Sequence, residues 1–171
     1  RDDTGAVISQ PGTTISLAAS GHKSFVLSQQ YPYTAGKRGT IELDTPSGGR
    51  ISVLGIRTTP WNNTFTLTTI PALANVGTNG GSIAHIATGN GWQTTFVLIN
   101  AGSSSAQASL KFFATRSGNP LTLPLTFPQT GDSATGNSVT RTLAPGATLV
   151  VQSAAPVSDP APTIGSAQIG R

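Results

Sequence analysis

Hydrophobic and polar positions in this chain form short alternating runs, cut at fairly even intervals by Gly, Pro, Asn and Ser. Period-two alternation bounded by turn residues is the pattern of β-strands. The runs are Thr13–Leu17, Lys23–Leu27, Gly39–Asp44, Arg50–Arg57 and Thr64–Ile70. After a glycine-rich break at Gly77–Gly81 come Ile83–Ala87, Gln93–Asn100, Ala106–Ala114, Leu121–Phe127, Val139–Leu143, Thr148–Ser153 and Ile164–Ile169. No window of about a dozen residues places its apolar positions at helical spacing. The expectation is an all-β chain, an antiparallel β-sandwich of Ig-like type.

Two runs state which face they bury. In Ala106–Ala114 one face carries Ala108, Leu110 and Phe112, and the other Ser109, Lys111 and Phe113. In Gln93–Asn100, Phe96 and Leu98 oppose Val97 and Ile99, so both faces are apolar, as for a central strand of a sandwich. Pro46-Ser47-Gly48-Gly49 and Ser117-Gly118-Asn119-Pro120 read as hairpin connections. Ala154–Thr163, with prolines at 156, 160 and 162, reads as an extended connection.

The two halves echo each other. Thr14-Ile15-Ser16-Leu17-Ala18, then Gly21 and Ser24-Phe25-Val26-Leu27, parallels Thr140-Arg141-Thr142-Leu143-Ala144, then Gly146 and Thr148-Leu149-Val150-Val151. The offset from Leu17 to Leu143 is 143 − 17 = 126 positions, and from Gly39 to Gly165 it is 165 − 39 = 126. Upstream, the Gly5 turn parallels Gly118 at an offset of 118 − 5 = 113. Fixed-period self-similarity marks repeat architectures. The expected organisation is therefore a first sandwich unit over 1–76 lacking its opening strands, a linker at 77–81, and a second unit over 82–171 lacking its closing hairpin. One permuted unit with a swapped overlap is the other arrangement this phase allows. Cutting a sandwich this way leaves strand edges that invite pairing with another chain.

Composition narrows the function classes. Only 9% of residues are charged, and Glu42 is the only glutamate. With neither Cys nor Met, a disulfide framework, a thiolate zinc site and a cysteine nucleophile are excluded. The absence of oxidisable sulfur fits a location outside the cell. The net charge of +4 comes from scattered basic residues, not from a stripe that would grip nucleic acid. Nothing reads as a signal peptide or a membrane span. A chain opening on Arg1 reads as a processed or excised part of a longer one.

The stretches Gly21–Leu27, Tyr31-Pro32, Ala35–Thr40 and Ile51–Arg57 resemble modules of large secreted bacterial repeat proteins, as do Ala84–Ala87 and Gly91–Asn100. The resemblance spans nearly the whole chain. It implies extracellular β-sandwich units in tandem, a parent chain continuing on both sides, and no catalytic residue.

Candidate chemistry is sparse. His22 and His85 are the only side chains that titrate near neutrality, and neither accompanies a Gly-x-Ser-x-Gly elbow or a His-Glu-x-x-His pattern. Asp2, Asp3, Asp44, Asp132 and Asp159 stand near turns without the spacing of a calcium loop. Lys111 would suit an isopeptide crosslink, but Glu42 alternates away from Ile41 and Leu43, and an outward lysine guarding a strand is the simpler role. Asn62-Asn63-Thr64 matches an N-glycosylation pattern, which carries little meaning in a bacterial chain. Surface aromatics are the best binding hint: Tyr31 and Tyr33 precede Lys37 and Arg38, and Trp61 and Trp92 stand at strand approaches. Such rings equally well close the ends of a sandwich.

The chain is thus expected to be a non-enzymatic extracellular structural subunit with no cofactor and no metal. Its partners would be copies of itself or covalent neighbouring repeats, with no nucleic acid and no membrane span. It would assemble by β-strand complementation. The alternative is a carbohydrate- or surface-binding module of a secreted adhesin, with polysaccharide held by Tyr31, Tyr33, Lys37, Arg38, Trp61 and Trp92.

Overall fold

The computed structural model describes residues 1–8, 14–61, 64–72 and 80–170. They form two compact units, one of Arg1–Ile41 with Asn79–Arg171 and one of Glu42–Thr78. This differs from the expected division into 1–76, 77–81 and 82–171. The first 41 residues belong with the C-terminal half rather than heading a sandwich of their own, and most of the 77–81 linker lies outside the described residues.

The larger unit is built on eight strands: β3 (Gly81–Thr88), β4 (Thr95–Ile99), β5 (Ala106–Ala114), β6 (Leu123–Phe127), β7 (Asp132–Gly136), β8 (Ser138–Leu143), β9 (Thr148–Ser153) and β10 (Thr163–Gly170). They make two four-stranded sheets in the orders β3-β10-β5-β8 and β4-β9-β6-β7, and every pairing is antiparallel. The first two strands lie in different sheets and the last returns between the first and third, which is the jelly-roll order. An Ig-like sandwich keeps its first two strands in one sheet. The β-sandwich is as expected; its connectivity is a jelly roll.

Alternation explains the core. Leu123, Leu125 and Phe127 of β6 point inward, as do Phe96 and Leu98 of β4 and Leu110 and Phe112 of β5. The Phe96 and Phe112 rings approach at a centroid distance of 5.6 Å. Ala108, Leu110 and Phe112 share the inner face, as the sequence predicts. β4, however, is an edge strand of its sheet, and its outer residues Val97 and Ile99 are exposed. β7 escapes the sequence reading because it is an edge strand, mostly exposed along its length, so its residues carry no alternation. The sandwich closes with these eight strands and needs no closing hairpin.

Asn100 ties the two ends of β4 and β8 together. Its buried side-chain amide lies 2.8–3.1 Å from the carbonyls of Ser104, Leu143 and Ala144, while its Oδ1 accepts from Gly102 N–H. A buried amide with these partners fixes a loop without orphaned polar groups.

The N-terminal residues lie against the same end. Thr148 N–H donates to Asp3 O. Gly5, at φ +91°, sits so close to Pro145 O and Ala147 N that a side chain there would collide with backbone. From Thr14 to Ile41 the chain forms no ladder strand: it carries the short helix α1 (Leu27–Gln30) and a 3₁₀ turn at Pro32–Thr34. The expected strands at Thr13–Leu17, Lys23–Leu27 and Gly39–Asp44 are therefore not formed over their described residues, residue 13 of the first lying outside them.

The smaller unit is a hairpin of β1 (Leu54–Trp61) and β2 (Thr64–Pro71). It corresponds to the expected runs Arg50–Arg57 and Thr64–Ile70, the first moved toward its C-terminal end. Leu54 and Ile56 share a face with Leu67 and Phe65, all exposed. A lone two-stranded sheet with one bare apolar face has marginal stability by itself.

Candidate functional site

Residues 14–41, like the hairpin of the smaller unit, carry apolar side chains without cover. Leu17, Phe25, Val26, Leu27, Tyr33 and Ile41 are all exposed, although their spacing is that of strand interiors. Apolar side chains left uncovered on a folded chain are candidates for an interaction surface.

One turn here has the geometry of a turn in the sandwich. Gly21 N–H donates to Ala18 O at 2.9 Å, and 126 positions later Ala147 N–H donates to Ala144 O at 3.0 Å. Within each turn one residue is left-handed, Ser20 at φ 58° and Gly146 at φ 72°, again 126 positions apart. A serine tolerates this region at some cost, whereas glycine enters it freely. The strand pairing is copied as well. Gly39 forms an antiparallel bridge with Asp2, and Thr40 N–H donates to Arg1 O. In the sandwich, Gly165 pairs with Ala114 and Ser166 with Phe113. Both Asp2 and Ala114 precede a turn with a left-handed glycine, Gly5 and Gly118.

Asp2 organises its turn: Oδ1 accepts from Thr4 N–H, Thr4 Oγ1 and Ala6 N–H. The hydroxyl of Thr4 is the main cause holding this carboxyl below its usual range, with the two amides adding to it. Asp3 meets Arg38 through a 2.7 Å Nε–Oδ2 contact, while its buried Oδ1 has no partner.

The proposed aromatic residues are partly gathered. Phe25 meets Tyr31 edge-on at 5.7 Å, and Tyr31 meets Tyr33 at 6.0 Å. Lys37 follows at the end of the same turn, its N–H donating to Thr34 O. Arg38 is engaged with Asp3. Trp92 is exposed in the β3–β4 turn, where its backbone pairs with Gly89. The backbone of Trp61 ends β1, and its side chain lies outside the described residues. Residues 62 and 63 of the glycosylation pattern also lie outside them. No contact joins Trp92 to the tyrosines among the described interactions. Phe25, which the sequence reading left out, is a member of the cluster; its place between Ser24 and Val26 in an alternating run made it look like core.

A second apolar feature lies at the open edge between β3 and β4. A cleft of about 170 Å³ is bordered by Ile83, Thr94–Leu98, Leu110 and Ile169. It has no titratable lining residue and suits packing rather than chemistry. His22 and His85 are both exposed, the first in a loop and the second on β3. Among the described residues no three His, Cys, Asp or Glu side chains gather as a metal site. None of the helices there is long and apolar enough to cross a membrane. Lys111 is exposed on β5, paired across the strands with Gln168 and Ser138.

No protein-family model matches this chain, and neither the curated proteins nor the solved structures contain a match to it.

Proposed function

We propose that this chain is a non-enzymatic extracellular structural module that joins neighbouring modules, copies of itself or covalently linked repeats, by β-strand complementation. The closed jelly roll is the preformed block, and residues 14–41 are the joining region. The observation that carries this reading is the contrast at equivalent repeat positions. Leu17 is 46% exposed and Ile41 63%, while Leu143 is 8% and Ala167 0%. Burying such side chains against a neighbour contributes about 25 cal/mol per Å² of apolar surface removed from water, and backbone ladders supply the register.

Sedimentation velocity across low to high micromolar concentrations tests this, with electron microscopy of the products. Association that rises with concentration is expected, and F25D combined with I41D should abolish it while leaving the melting of the sandwich unchanged. A folded, monodisperse monomer over that whole range overturns assembly of copies.

The carbohydrate-binding alternative draws support from Tyr31, Tyr33 and Trp92 as exposed or half-exposed ring surfaces, of which the two tyrosines meet each other.

A further inference from the structure

We infer that the edge strand β4 is the acceptor of this complementation, and that its occupant is the segment Ser24–Ser28 of a neighbouring copy of the chain. This rests on the complementation reading above and names the partner of residues 14–41.

The two sheets end in four edge strands, β3 and β8 in one and β4 and β7 in the other. Sheet edges are ordinarily guarded by a charge, by a break in regularity or by a covering segment. β8 carries Arg141, whose guanidinium lies over the Phe127 ring at 5.1 Å. β7 opens on Asp132 and ends on Gly136, and β3 holds Gly81 and His85. β4 reads Thr-Phe-Val-Leu-Ile. Among these four edges it alone has no charged or titratable residue and no glycine.

β4 also turns half of its ladder groups outward. Asn100 N–H donates to Ala147 O, and Ser153 N–H to Thr94 O. The even-numbered residues therefore bond to β9, and alternation turns the backbone groups of Thr95, Val97 and Ile99 to the open side. On the outer face of the strand Val97 and Ile99 are exposed. On the inner face Phe96 and Leu98 border the 170 Å³ cleft, with Ile83, Leu110 and Ile169 across from them. An added strand finds a row of backbone groups to bond and an apolar gap to fill.

Ser24–Ser28 matches this edge in length and alternation. Every pairing in the sandwich is antiparallel, and an antiparallel addition sets Val26 opposite Val97. Phe25 then falls opposite Leu98 and Leu27 opposite Phe96, so both enter the cleft. Ser24 and Ser28 fall opposite Ile99 and Thr95 on the outer face, and Lys23 stands beyond the end of the ladder. A slip of one residue would turn a serine into the apolar cleft, which fixes the register. The segment is available for this role. Phe25, Val26 and Leu27 are exposed, and α1, which begins at Leu27, buries no residue and has no side-chain cap. So short a helix has little stability to lose on extension.

Donor and acceptor are different patches of one chain, so the contact is heterologous and repeats head to tail. Pairing of β4 with its own copy about a two-fold axis is the poorer arrangement, because it leaves Phe25 and Leu27 uncovered.

The chain has no cysteine, so disulfide trapping reads the register directly. V26C and V97C variants are mixed in a glutathione redox buffer. The mixed dimer is expected in at least roughly 10-fold excess over either self-pair, since bonded ladder partners lie about 5.5 Å apart at Cα, within disulfide reach. V97K gives the edge a guarding lysine and should weaken association at least about 10-fold in sedimentation velocity. The melting of the sandwich should not move, because Val97 faces outward. An excess of the V97C self-pair overturns the inference by setting β4 against β4. A disulfide formed within single chains of the V26C/V97C double variant at high dilution overturns it by making the chain its own donor. Association that F25D with I41D abolishes and V97K leaves intact, with no mixed disulfide, keeps complementation and overturns this acceptor. A chain that neither associates nor yields the mixed disulfide overturns both.

Discussion

The same Leu-Ala turn occurs at Leu17–Gly21 and at Leu143–Ala147, with the same hydrogen bond and a left-handed residue at the same place, Ser20 or Gly146, yet only the second leads directly into a strand. After Ala147 comes β9, paired with β4 on one side and β6 on the other. After Gly21 the backbone runs unpaired into the four-residue helix α1. The sequences differ little in alternation, so the difference lies in the neighbours. A tight turn closes within four residues and needs nothing from elsewhere. A strand shares its hydrogen bonds with another strand and its apolar face with another sheet, and forms only when both are present.

This contrast gives like substitutions in the two regions unequal consequences. The largest separation is expected between F112A and F25A. Phe112 is fully buried against Phe96, and its truncation should cost about 3–5 kcal/mol in urea denaturation. Phe25 is 42% exposed, and its truncation should cost less than about 1 kcal/mol. Equal costs would mean that residues 14–41 already belong to a cooperative core.

Next in size is N100A, which strands the Leu143 and Ala144 carbonyls at the buried end of the sandwich. A loss of about 1–3 kcal/mol in the same measurement is expected, with N100D no better because it removes both donors. A loss below experimental error would show that the turn is held by its backbone bonds alone.

The smallest effect sharpens the comparison at the turn itself. G146A places a methyl group in the left-handed region and near the Arg1 side chain, so its thermal unfolding should reveal a loss of about 1–2 kcal/mol. S20G relieves the corresponding cost in the first turn, and the melting of the sandwich should move by less than about 0.5 kcal/mol. A drop on S20G comparable to that on G146A would place the first turn inside the sandwich's folding unit.

Most of the larger unit was legible in the sequence. Ala106–Ala114 and Thr148–Ser153 form strands with the bounds their alternation predicts, because turn residues stop them on both sides. Leu110 and Phe112 declared their inward face for the same reason. The order of strands was not legible: seven alternating runs suit an immunoglobulin sheet as well as a jelly roll, and the pairing of β3 with β10 joins residues some 80 positions apart that carry no mark of each other. Val97 and Ile99 misled the reading of β4, since an apolar outer face predicts a covered strand and this one is at an edge. Of the candidate site, Tyr31 and Tyr33 were legible as neighbours in sequence, whereas the use of Arg38 by Asp3 depended on bringing residues 35 positions apart together.

By itself, then, the sequence determined much of what has a short physical range, namely the β class, the turns at Gly5, Gly118 and Leu143–Ala147 and the inward faces of the sandwich, though not the helix at Leu27–Gln30. Tertiary structure decided which of those strand-capable runs became strands. Alternation creates an apolar face but does not bury it. Burial requires a partner sheet, and between Gly81 and Gly170 the chain supplies one while between Thr14 and Ile41 it does not.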